Sequence, residues 1–470
     1  MRTEPLIPPL RHATSRPDPV DLLRTHDAWQ AMTAELKPPL TAAEAQAESQ
    51  RCLLCGGPYA EAPCTAACPA DVDVPGFIEA IGRGDTADAA RIILDANPLG
   101  ATCARVCPTE VLCEGACVLL HEGQRAVDIG RLQRYAMDMA LSGDSGAAVA
   151  PGPRNGRTVT VIGAGPAGMA GAAELAALGY AVTVLDERSE VGGLVRYAIA
   201  PYRQLDDPLP LERERLERLG VRVRMNTPID TPERLRALEA TSDAILLAVG
   251  MGEDTTSGCP GEELAGVWPS LRFVEAIKAG RLPEVGERVV VVGGGNTAMD
   301  MAREAVRLGA GTVTVLYRRT EAEMPAYRHE VEEAKAEGVQ FSWLTLPTRF
   351  LGQGRLKAVE CRRMRLGEPD ASGRRRPEAV PGSEFTLPAD TAILAIGQRP
   401  RSQFLAWIDG VEVRGGRLAS DPETGATGNP RYFAAGDAVN GGDTVVMAVR
   451  MGKAAAHAID ARLTGAGARR

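Results

Sequence analysis

Short runs of apolar, mostly β-branched residues recur along the chain, and two of them sit in the same setting. Thr158-Val159-Thr160-Val161-Ile162 breaks at a glycine-rich turn and continues into a small-residue stretch from Pro166, while Arg288-Val289-Val290-Val291-Val292 breaks in the same way and continues from Asn296. A β-branched run that ends in glycine and resumes as a helix-like stretch predicts a strand, a tight turn and a helix in that order. Each unit then meets a second apolar run, at residues 181–185 and 312–316, so each predicts a strand–helix–strand crossover in a parallel sheet. Residues 243–250 and 391–400 add further runs that end in turns, and residues 273–277 read as a helix. Residues 336–385 hold short strand candidates interrupted by charged and proline-rich turns. Upstream, Thr41 with Glu44 three residues on predicts a capped short helix, and the turn-rich residues 141–157 predict a domain boundary.

The glycines give the two repeats a chemistry. In the turn Gly163-Ala164-Gly165-Pro166-Ala167-Gly168 the three glycines permit a tight turn, close approach of a pyrophosphate and close packing of helix on strand. Asp186, at the end of the second run, is placed to bond an adenosine ribose, so the unit reads as a dinucleotide site. In the second unit, Gly293, Gly295, Asn296 and Thr297 form a turn and helix start that hold another pyrophosphate. Arg318 and Arg319 end the strand after it, where guanidinium groups recognise an additional ribose phosphate and an acid would favour the unphosphorylated ribose.

Composition narrows the class. A chain of 470 residues with 44% hydrophobic and 24% charged residues is a folded multidomain protein rather than a disordered one. A formal charge of -8 supplies no broad basic surface for nucleic acid. Neither a signal-like core nor a membrane span is evident, which sets the cytoplasm as the expected compartment. Eight of the ten cysteines fall between Cys52 and Cys117, and in an intracellular dinucleotide enzyme such a density points to metal ligation rather than disulfides. Thiolates suit zinc and iron–sulfur centres alike; the Cys68-Pro69 and Cys107-Pro108 turns favour two iron–sulfur clusters, with two structural zinc sites as the alternative.

Cysteine blocks followed by two ordered nucleotide turns resemble a known family over almost the whole chain: the scaffold shared by the glutamate synthase small subunit, the electron-input half of dihydropyrimidine dehydrogenase, and the large subunit of NADH-dependent ferredoxin:NADP oxidoreductase. The resemblance implies an α+β multidomain chain. A helical domain with two 4Fe-4S clusters occupies residues 1–145, the first part of an FAD domain 157–265, an NAD(P)H domain 266–388, and the second part of the FAD domain 389–470. Both nucleotide domains are then Rossmann-like, with the NAD(P)H domain inserted in the FAD domain. Cys52, Cys55, Cys64 and Cys117 are implied around one cluster and Cys68, Cys107, Cys113 and Gln133 around the other, with Cys103 unliganded. FAD is implied at Gly163, Gly165, Pro166, Ala167, Gly168 and Asp186, at Gly192 and Gly193, at Gly436 and Asp437, and at Thr444 and Val445; NADPH, or NADH, is implied at the second turn.

The function implied is that of an electron-transfer subunit that oxidises NADPH through FAD and the clusters and serves a catalytic flavoenzyme partner in a heteromeric complex. No side chain is assigned as a general base, because orientation carries hydride transfer. Gln133 and the pattern from Asn97 to Cys117 favour the dihydropyrimidine dehydrogenase type, with the glutamate synthase small subunit and the bifurcating oxidoreductase as alternatives.

Overall fold

The structure, a computed structural model, describes residues 35, 37–57, 60–142, 151–204, 207–370 and 373–465. Residues 1–34 of the expected helical domain and residues 143–150 of the expected boundary lie outside the described residues. Thr41 opens α1 (Ala42–Ser49) through the anticipated capping box: its hydroxyl accepts from the Glu44 amide, and the Glu44 carboxylate accepts from the Thr41 amide at 2.8 Å. Helices α2 (Val74–Gly82), α3 (Thr86–Ala96), α4 (Gly100–Val106) and α5 (Ile129–Ser142) follow, with Asp73 and Asp85 capping α2 and α3. Their apolar faces meet over Phe77, Ile78, Ile81, Ile93, Leu99 and Leu132. Each such buried side chain contributes on the order of 2 kcal/mol.

The strands alternate with helices from there on. β1 (Thr158–Ile162), α6 (Pro166–Ala177), β2 (Ala181–Leu185), α7 (Leu194–Ala198), α8 (Leu209–Arg218), β3 (Arg222–Arg224) and β4 (Ala244–Leu247) come first. β5 (Val267–Pro269), α9 (Ser270–Lys278), β6 (Arg288–Val292), α10 (Asn296–Arg307), β7 (Thr312–Leu316), α11 (Arg328–Ala336) and β8 (Gln340–Ser342) repeat the arrangement. Then come β9 (Thr345–Gln353), β10 (Arg355–Pro369), β11 (Arg375–Pro388), β12 (Thr391–Leu394), β13 (Tyr432–Ala434) and α12 (Val445–Thr464).

Two five-stranded parallel sheets result, ordered β13-β4-β1-β2-β3 and β5-β12-β6-β7-β8. The two glycine units share a register, Thr158 opposite Ala181 through Ile162 opposite Leu185 in one, and Arg288 opposite Thr312 through Val292 opposite Leu316 in the other. All four residues of β4 and of β12 are buried, as expected for inner parallel strands covered on both faces. The architecture is therefore an N-terminal helical region followed by two Rossmann-like α/β sheets. No helix among the described residues is long and apolar enough to cross a membrane.

Two expectations change. Thr391–Leu394 pairs with β5 and β6, so it completes the second sheet, and the chain returns to the first only at Tyr432–Ala434. The assignment of residues 389–470 to the first nucleotide domain is corrected for this strand; an apolar run before a glycine turn reads the same in either sheet. Residues 345–388 form a three-stranded antiparallel sheet, ordered β11-β10-β9, in place of short strand candidates. Its long strands carry charged side chains on exposed positions, such as the cross-strand pair Arg362–Glu384 at 2.9 Å, which mask the alternation in sequence.

Candidate dinucleotide and cysteine sites

Three separate stretches converge on the first turn. Gly163 leaves β1 with φ +108, and a Cβ there would collide with the Ala248 carbonyl; one at Gly168 would collide with the Gly163 carbonyl. Both positions accept only glycine because strand, turn and helix are in contact. Gly165 caps α6 and differs: a Cβ there would have Gly193 Cα, 3.9 Å away, as its nearest neighbour, so this side of the turn is open. Gly193 itself lies against Gly165, and the Gly192 amide donates to the Ala164 carbonyl at 2.7 Å. From the far end of the chain, Gly436 packs on Ala167, and Asp437 accepts from the Asp443 amide at 3.4 Å. Thr444 caps α12, its hydroxyl accepting from Met447, with Val445 as the first helical residue.

Asp186 is turned toward the same place. Its carboxylate oxygens accept from the Ala164 amide at 2.7 Å and the Arg188 amide at 2.8 Å, which fixes the acid at the rim of the turn. Burial pushes the Asp437 carboxyl up to about 6. An open glycine at a helix N-terminus, an acid at the end of the neighbouring strand and close-packed glycines around them fit a dinucleotide. The positions implied for FAD, from Gly163 to Asp186, Gly192 to Gly193 and Gly436 to Val445, thus come together in space.

The second turn is built alike. Gly293 has φ +144 beneath the Ala395 carbonyl, Gly294 lies under the Tyr317 ring, and Gly295, the N-cap of α10, faces open space. Asn296 is occupied structurally: its Oδ1 accepts from the Tyr327 amide at 2.9 Å and ties down the loop before α11, while Thr297 is exposed. The two arginines separate. Arg318 is exposed at the end of β7, whereas Arg319 is 5% exposed and donates to Asp370 and to the Arg375 carbonyl, both at 2.8 Å. Arg319 therefore braces the antiparallel sheet, and Arg318 alone of the pair points its charge to solvent.

The cysteines form two neighbourhoods. Cys52, Cys55, Cys64 and Cys117 line one cavity, together with Val74, Ile78 and Val127. Burial pushes the Cys52 thiol up and the Cys64 thiol up to about 11. In the other neighbourhood the adjacent Cys103, the cysteine the resemblance left over, together with burial raises the Cys107 thiol. Burial likewise raises Cys68 and Cys113. Gln133 spends its amide on packing, Nε2 donating to the Gly100 carbonyl at 2.8 Å and joining α5 to α4. Among the described residues no group of three or more Cys, His, Asp or Glu side chains is arranged to hold a metal ion. The expectation of two 4Fe-4S clusters on Cys52, Cys55, Cys64 and Cys117 and on Cys68, Cys107, Cys113 and Gln133 is thereby corrected. Density in sequence brought the thiols near one another, with Cys103 and Cys117 buried and the others half-buried.

Contacts between the units escaped sequence reasoning. Glu212 of α8 bonds Thr102 of α4, and Tyr202 and Arg203, which follow α7, reach Asp300 of α10. No local pattern signals either contact.

Comparison with known proteins follows the same division. A family model described as pyridine nucleotide-disulphide oxidoreductase matches residues 157–452, and one described as dihydropyrimidine dehydrogenase domain II, 4Fe-4S cluster, matches residues 30–144. The chain is 37% identical over 444 residues to the glutamate synthase (NADPH) small chain of Escherichia coli (strain K12), covering 90% of this chain and 93% of that protein. It is 38% identical over 427 residues to the NADP(+)-dependent formate dehydrogenase subunit beta of Moorella thermoacetica, covering 86% of this chain but only 60% of that longer relative. Mycobacterium tuberculosis FprA in complex with NADPH shares the fold, with a TM-score of 0.56, 20% identity, and coverage of 66% of this chain and 85% of FprA. This chain belongs to the FAD- and NAD(P)H-dependent oxidoreductase family related to the glutamate synthase small chain and dihydropyrimidine dehydrogenase domain II, and its chemistry is NAD(P)H-dependent electron transfer.

Proposed function

We propose that this chain is the electron-input subunit of a heteromeric oxidoreductase, with FAD at the first turn, NADPH at the second and a partner protein as the acceptor. The observation that carries the reading is the pair of matching turns, each a close-packed glycine followed by an open one at a helix N-terminus, Gly163 with Gly165 and Gly293 with Gly295. Bound FAD couples the two-electron chemistry of a hydride donor to onward electron transport. The residues supply binding and orientation. The first-turn amides of α6 and α10 receive pyrophosphates, Asp186 holds the rim of one turn, and Asn296 fixes the loop beside the other. Arg318 supplies the charge for a ribose phosphate. The NAD(P)H unit is read as an insertion: all five strands of the second sheet lie in sequence between β4 and β13 of the first.

The partner is read as one of glutamate synthase type rather than dihydropyrimidine dehydrogenase type. Identity of 37% across 93% of a glutamate synthase small chain supports this over the type favoured by Gln133 and the pattern from Asn97 to Cys117. The test is isolation of the chain with its tightly bound partner and assay of the complex with NADPH. Glutamate formation supports the reading, and pyrimidine reduction overturns it.

A further inference from the structure

Two of the polar crossings between the first nucleotide unit and the second involve the segment after Gly193. In one, the Tyr202 hydroxyl donates to Asp300 Oδ1 at 2.6 Å, and Arg203 donates to the same oxygen through Nε at 2.9 Å and Nη2 at 2.7 Å. Arg203 Nη2 also reaches Glu330 Oε2 of α11 at 2.6 Å. The Tyr202 ring is fully buried, with the Arg307 and Arg303 guanidinium carbons 4.3 and 4.9 Å from its centroid. Those arginines are in turn held by Glu337, at 2.6 and 2.8 Å. A dipeptide of the first unit thus fills a charged socket formed by α10 and α11 of the second. In the other crossing, Lys278, the last residue of α9, donates to the Val195 and Ile199 carbonyls, both at 3.1 Å.

Each crossing lies within a helix or less of a nucleotide turn. α7, whose carbonyls Lys278 binds, begins directly after Gly193, and Tyr202 and Arg203 follow it in the same segment. Asp300 stands four residues beyond Asn296, about one turn into the helix that starts at the second glycine turn. A guanidinium that donates to two partly buried carboxylates is directional, and an ill-fitting geometry leaves charge unpaired out of water. Such a contact selects one relative orientation of the two units.

We infer that Arg203 is a positioning residue for hydride transfer, fixing through Asp300 and Glu330 the orientation of α10 and α11 against the Gly192–Gly193 segment. The inference rests on the proposed path between the two turns. The step positioned is transfer of one hydride, a proton with two electrons, from NADPH to FAD, leaving NADP+.

The test uses the flavin-loaded full chain with Arg203→Ala, Arg203→Lys and Glu330→Gln. Flavin reduction is followed by stopped-flow at saturating NADPH, NADP+ affinity by titration, and hydrogen exchange in residues 194–204 and 296–307. Misplacement of reacting groups costs on the order of 100-fold in rate. Arg203→Ala is expected to slow reduction by about that factor and to raise exchange in both segments, while flavin content and NADP+ affinity stay within about twofold of native; Arg203→Lys recovers part of the rate. Unchanged reduction in the alanine variant overturns the inference, as does a parallel loss of rate, flavin and NADP+ affinity. If the alanine variant does not fold, Arg203→Lys and Glu330→Gln carry the same comparison, and native rates in both overturn it. A native protein that binds both nucleotides and passes no hydride overturns the path itself.

Discussion

Glu212 accepts both hydrogen bonds that Thr102 offers, from the backbone amide at 2.9 Å and from the hydroxyl at 2.6 Å. The pair joins the helical region to the first nucleotide unit, and Glu212 is only 4% exposed. Burial pushes its carboxyl up to about 7 against the pull of those bonds and of Arg105, with Asp207 adding to the rise. A carboxyl raised above its unfolded value contributes stability that is fully present below about 4.5 and is lost as pH rises through about 7. The fold is therefore less stable at pH 8 than at pH 5, by about 3 kcal/mol, because the ionised carboxylate is buried. Thermal unfolding and hydrogen exchange of residues 100–106 and 209–218 across this range measure it. Glu212→Gln should flatten the dependence; a slope that survives the substitution assigns it to other groups.

Gly165→Ala and Gly163→Ala should part company. The Gly165 Cβ meets nothing closer than 3.9 Å within the protein, so the fold survives while the space left for a pyrophosphate is filled. Flavin content on reconstitution should fall at least tenfold with the melting temperature nearly unchanged. Gly163→Ala places a side chain at φ +108 against the Ala248 carbonyl and should cost several kcal/mol of stability, read as loss of cooperative unfolding. Equal flavin binding by Gly165→Ala and the native chain would show that the open side of the turn is not the cofactor's.

Arg318 and Arg319 are adjacent and chemically identical, yet they are expected to fail differently. Arg318→Ala should weaken NADPH about tenfold and leave NADH unaffected, because only the phosphorylated ribose engages the charge. Arg319→Ala removes the bonds to Asp370 and the Arg375 carbonyl and should cost about 2 kcal/mol, with both nucleotides affected alike. Binding titrations with the two cofactors, paired with denaturant unfolding, distinguish the two. The reverse pattern would place the phosphate at Arg319.

What sequence made legible was local. The Thr41–Glu44 capping box, the two glycine turns and the strands flanking them follow from spacing over a few residues, and all appear where expected. What it concealed depends on long-range closure. Tyr202 meets Asp300 across 98 positions, Thr102 meets Glu212 across 110, and Arg319 meets Asp370 across 51. Residues 391–394 carried a correct strand pattern with no mark of which sheet it would join. The cysteine spacing carried a chemical expectation that the side-chain arrangement among the described residues does not meet, with Gln133 engaged by Gly100. Spacing reports chain proximity; ligation needs convergent side chains.

The chain's NAD(P)H-dependent FAD chemistry is tested most directly by anaerobic titration of the FAD-reconstituted chain with NADPH, following the flavin absorbance. Stoichiometric FAD binding and complete bleaching at about one equivalent of NADPH per flavin are expected, as two electrons pass in one hydride. A chain that takes up no FAD, or whose bound flavin stays oxidised under excess NADPH and NADH, would contradict it.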